Sequence, residues 1–75
     1  MSPRLPRVTA GQMARALARL GFRVSRQSGS HRIYINDAGR RVTLPYHARR
    51  ILHPKILTSI LRDAGIEVSE LHKLL

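Results

Sequence analysis

Hydrophobic and polar positions divide the chain into three kinds of pattern. From Thr9 the apolar residues Met13, Leu17 and Leu20 recur at helical spacing, with Arg15 and Arg19 turned away from them. Thr9 can cap the free amides, Gln12 three residues on completes a capping box, and Val8 and Met13 occupy the staple positions. Gly21 supplies a left-handed stop, and Phe22 can fold back on Leu17. At Phe22 the period changes to two. Phe22 and Val24, then Ile33 and Ile35, then Val42 and Leu44 alternate with polar residues, which predicts three short strands. Ser28 and Gly29 mark the first turn, and Asn36-Asp37-Ala38-Gly39 marks the second. Pro45 stops the third strand.

A basic connector, residues 46–53, leads to Pro54, well suited to the first position of a helix. Ile56, Leu57, Ile60, Leu61 and Ala64 form its apolar stripe, and Gly65 ends it. Ser69 is a candidate cap for a last turn through Leu71, Leu74 and Leu75. The order α-β-β-β-α predicts an α+β fold, a three-stranded antiparallel meander with two helices on one face. The alternation predicts Phe22, Val24, Ile33, Ile35, Val42 and Leu44 on the buried face, and Arg23, Arg32, Tyr34, Arg41 and Thr43 on the other. Residues 1–8 read as a basic flexible tail and residues 9–75 as a single domain.

Seventy-five residues support one small core, burying about 60% of the surface of the unfolded chain. There is no cysteine, which excludes disulfides and thiolate metal sites. No apolar run approaches the roughly 18 residues of a membrane span, so a cytoplasmic location is expected. Charge changes the picture most. Fourteen Lys and Arg face four acids, for a net +10, and twelve of the fourteen are arginine. The rigid guanidinium fork matches phosphate oxygens, so the bias points to a nucleic acid more than to mere solubility or to an acidic protein partner. Neither helix has a predominantly basic face, which argues against a membrane surface.

His31 opens the second strand, beside the Gly29-Ser30 turn and in the row of Ile33 and Ile35, so alternation aims it at the core-side rim. Such a histidine can simply pack its ring against the fold. It can also do chemistry: RNA cleavage without a metal needs a base for the 2′-OH and an acid for the 5′ oxygen, and imidazole serves as either near neutral pH. Gly29 would allow close backbone approach, Ser30 offers a hydroxyl, and Arg26 and Arg32 flank the position. The wider pool of RNA contacts is Arg40, Arg41, Arg49, Arg50 and Lys55. Asp37, Asp63, Glu67 and Glu70 form no paired-carboxylate or metal-ligand pattern, so no metal and no small-molecule cofactor is expected.

The runs Gly29-Ser30-His31-Arg32-Ile33-Tyr34, Asp37-Ala38-Gly39-Arg40-Arg41-Val42-Thr43-Leu44-Pro45-Tyr46-His47 and Leu61-Arg62-Asp63-Ala64-Gly65-Ile66 resemble the HicA-type toxins of bacterial toxin–antitoxin pairs. The similarity covers about residues 9–72. The resemblance implies a double-stranded-RNA-binding-domain-like fold and an mRNA endoribonuclease, which the scatter of the acids makes a metal-independent one. The histidine of its Gly-Ser-His motif, here His31, would be catalytic, and a HicB-type antitoxin would silence it. His47 is a candidate second proton carrier, with His53 behind it. A non-catalytic RNA-binding module of the same fold is the alternative, and the two readings differ at His31.

Overall fold

The computed structural model describes residues 4–75. The elements run α1 (Ala10–Arg19), β1 (Arg23–Ser28), β2 (His31–Ile35), β3 (Arg41–Pro45), α2 (Pro54–Ala64) and α3 (Val68–Leu74). The sheet is antiparallel in the order β1-β2-β3, so β2, which His31 opens, is central. The α+β meander expected from the sequence is present, with a short third helix added.

Helix α1 is bounded as its sequence requires. Gln12 N–H donates to Thr9 Oγ1 at 3.1 Å, and Thr9 N–H donates to Gln12 Oε1 at 2.9 Å. At the other end Phe22 N–H reaches Leu17 C=O at 2.9 Å and Gly21 N–H reaches Ala18 C=O at 3.1 Å, closing a Schellman motif. Helix α3 is capped by Glu67, not Ser69: Glu70 Oε1 accepts from Glu67 N–H at 3.2 Å.

The core joins Val8, Met13, Ala16 and Leu17 to Val42 and Leu44 of β3, Leu57, Ile60 and Leu61 of α2, and Leu71 of α3. Val8, which the sequence assigned to the tail, is fully buried, and its carbonyl accepts from Leu52 N–H at 2.8 Å. Residues 1–3 of that tail lie outside the described residues. Ile56, expected in the stripe of α2, stays outside the core.

The phase of β2 differs from the expected one. Directly paired residues of antiparallel strands share a face, and Tyr34 pairs with Val24 and Val42 while Arg32 pairs with Leu44. Tyr34 is therefore buried toward the helices, and Arg32 shares that side. Ile33 and Ile35 lie on the opposite, open face with Arg23, Arg26, Arg41 and Thr43. Pairing Ile35 with Arg41 across the Asn36–Arg40 turn sets the register, and a slip of one residue would exchange every side chain of the strand. In β1 the register shifts between Val24 and Arg26, a bulge that spends Ser25. Val24 faces the helix side but remains 48% exposed, because α1 and α2 cover mainly β3.

Candidate functional site

His31 is exposed, and it stands on the open face instead of the core-side rim. Its neighbours in register are Ser28 on β1 and Pro45 on β3. The intervening turn has Gly29 at φ +58° with no positive φ at Ser30, the arrangement of a type II′ hairpin, whose first central position favours glycine. Ser30 C=O then accepts from Tyr46 N–H at 2.6 Å. That bond ties the connector to the turn that carries His31.

The connector is fixed along its length. Arg50 N–H donates to His47 C=O at 2.8 Å, forming a turn, while Gly11 N–H reaches Ala48 C=O and Ala10 N–H reaches Arg50 C=O, both at 3.0 Å. These bonds lay residues 47–50 across the N-terminal end of α1. At the next step His53 caps α2: its Nδ1 accepts from Lys55 N–H at 3.1 Å, which leaves the ring proton on Nε2 in the neutral state.

These restraints bring His31, His47 and His53 to one open cleft of about 340 Å³. Ser30 and Arg50 join them, and Pro45, Ile51, Leu52 and Ile56 complete the lining. No acidic residue lines the cleft, so its field favours anions. Three imidazoles, a guanidinium and a hydroxyl around a partly apolar hollow can bind a phosphodiester and move protons to or from it.

The other residues of the expected RNA surface fall in several places. Arg26 and Arg41 are exposed on the open face with His31. Arg49 is exposed on the connector, and Lys55 on the first turn of α2. Arg32 points to the helix side, where its guanidinium stacks over Tyr46 at 3.6 Å from the ring centroid. Arg40 is drawn to the far end of α2 and donates to Asp63 C=O at 3.2 Å. Sequence reasoning missed Ile51 and Ile56 as cleft residues. Their signal was a pair of large apolar residues flanking the Leu52-His53-Pro54 step, but helical spacing made Ile56 look like core.

Among the described residues no three His, Cys, Asp or Glu side chains are placed to hold a metal ion. Asp37 pairs with Arg23 at 2.9 Å, and Glu70 serves the cap of α3. Among the described residues no helix is long and apolar enough to cross a membrane.

Comparison with known families matches residues 10–66 to a family model described as the HicA toxin of bacterial toxin–antitoxin systems. The match spans α1 through the end of α2 and includes every residue that lines the cleft. No curated protein matches the chain.

Proposed function

Because the chain belongs to the HicA toxin family, and is thereby the toxin of a toxin–antitoxin system, we infer that it is a metal-independent mRNA endoribonuclease with His31 as its catalytic residue. The observation that carries this reading is the cleft itself: an exposed imidazole at the head of the central strand, with two further histidines and Arg50 around the same hollow.

The reaction suited to those groups is transfer within the RNA. The 2′-OH gives up its proton and its oxygen attacks the phosphorus. The bond from phosphorus to the 5′ oxygen breaks, and that oxygen takes a proton. The products are a 2′,3′-cyclic phosphate and a 5′-OH. His31 takes one of the two proton-transfer roles, and His47 is the candidate for the other. His53 is less suited to act as a base, since its Nδ1 is committed to the helix cap. Arg50 offsets charge that grows on the phosphate oxygens, and Ser30 adds a hydroxyl contact. Single-stranded mRNA would cross the open face, where Arg26 and Arg41 supply phosphate contacts in the plane of His31.

Metal independence is part of the reading and rests on the chemistry of imidazole and on the scatter of the four carboxylates. A HicB-type antitoxin with acidic side chains is the expected partner, and the cytoplasm the expected compartment. Expression of the chain in growing bacteria tests the toxin reading. Growth should stop for wild type and continue for His31→Ala, with both proteins folded by circular dichroism. Arrest by a folded His31→Ala protein would overturn the role given to His31.

A further inference from the structure

Ile51 and Ile56 are among the most exposed large apolar side chains of the described residues, at 48% and 39%. Both line the cleft that holds His31. Exposed apolar side chains gathered at one cleft offer a ligand more contact than the same residues scattered singly over the surface. Pro45, the partner of His31 in register, brings the apolar part of the lining up to the histidine. Arg50 and the imidazoles of His47 and His53 belong to the same lining, and the His53 ring is fixed by its bond to Lys55 N–H.

The lining mixes four apolar side chains with a guanidinium and three imidazoles, so the occupant that fits it has an apolar face and a negative charge held close together. A nucleotide has both. Enzymes that act on nucleic acid commonly hold a base between apolar side chains and planar rings, with histidine among the rings used. The volume, about 340 Å³, lies at the small end of ligand sites and suits one nucleotide. A flat protein contact would not require a hollow.

We propose that this cleft is a nucleobase subsite: the base next to the scissile phosphate packs on Pro45, Ile51 and Ile56, while the phosphate meets His31 and Arg50. The proposal rests on the endoribonuclease reading for its substrate, and it assigns sequence context at the cut to these apolar side chains. The open face supplies phosphate contacts that any RNA satisfies. The apolar side chains touch the base, so they are the part of the site that can distinguish one base from another.

Methyl-labelled wild-type protein tests this by NMR, titrated in parallel with nucleoside 3′-monophosphates, ribose 5-phosphate and inorganic phosphate. The nucleotides should shift the Ile51 and Ile56 methyl signals, and the two base-free probes should not. Ile56→Ser should weaken nucleotide binding roughly five- to tenfold, in the range of base-packing losses, and leave phosphate binding unchanged. Equal responses to all three probes, or shifts confined to Ile33 and Ile35 on the open face, would overturn the subsite. So would methyls that ignore every nucleotide and respond only to a bound antitoxin.

RNA cleavage by the same two proteins separates this proposal from the reading beneath it. Base-dependent shifts in a wild-type protein that does not cut RNA would leave the subsite standing and remove the nuclease. Cleavage with silent methyls, and with kcat/KM the same in Ile56→Ser, would do the reverse.

Discussion

The Arg32 guanidinium lies 3.6 Å from the centroid of the Tyr46 ring, on the side of the sheet opposite His31, its neighbour in sequence. The backbone amide of the same tyrosine donates to Ser30 C=O at 2.6 Å. Tyr46 is thus held from both sides at the point where the connector leaves β3, one residue before His47. The Tyr34 side chain, and after it Tyr46, raise the pKa of Arg32 above the ordinary arginine value. The cation is permanent. On the nuclease reading, Arg32 holds Tyr46, and with it the start of the connector that carries His47, in place.

Arg32→Ala should lower kcat for RNA cleavage several-fold, with little change in KM, and lower the thermal midpoint by a few degrees. Tyr46→Phe, which keeps the ring under the guanidinium, should behave like wild type. A rise in KM at constant kcat would instead return Arg32 to the RNA-binding surface.

Tyr34 and Ile35 test the phase of β2. Tyr34 is 4% exposed and packs toward the helices, whereas Ile35 sits on the open face. Tyr34→Ala should destabilise the domain by roughly 3 kcal/mol or more in urea unfolding, as expected for loss of a buried aromatic ring. Ile35→Thr should cost about 1 kcal/mol or less, within the range of surface and half-buried changes. The opposite order would mean that the isoleucines face the core.

Gly65 ends α2 at φ +76°, and a Cβ built there would stand 2.5 Å from the guanidinium carbon of Arg40. The guanidinium lies at the free end of a flexible side chain and can move aside, so backbone strain is the larger part of the penalty. Gly65→Ala should cost about 1–2 kcal/mol. A smaller penalty in the Arg40→Ala background would measure the part due to displacing Arg40 from Asp63 C=O, and equal penalties would show that the contact carries no energy.

Much of this molecule was legible in the chain, and the residues explain why. Thr9 with Gln12, and Gly21 with Phe22, are local signals, and local hydrogen bonds realise them without help from distant parts. The existence and order of the strands followed from alternation and turn residues. The face of β2 did not, because alternation fixes only which residues share a side. Which side is buried depends on register with β3, set by the Asn36–Arg40 turn, and on a bulge at Ser25 that no local signal announces. Ile33 and Ile35 are more apolar than Arg32 and Tyr34, so composition pointed the wrong way. At the site, motif reading singled out His31. The convergence of His47, Arg50 and His53 beside it depends on long-range bonds of the connector to α1 and to Ser30. The fates of Arg32 and Arg40 were hidden for the same reason: each has a partner distant in sequence.

On the proposed reading, His31 performs metal-independent RNA cleavage. The most direct test of that reading is incubation of RNA in EDTA with wild-type protein and with His31→Ala, followed by analysis of the product ends. Cleavage by wild type alone, leaving 2′,3′-cyclic phosphate and 5′-OH ends, is the predicted result. Binding of RNA by both proteins with cleavage by neither, or equal cleavage by both, would contradict it.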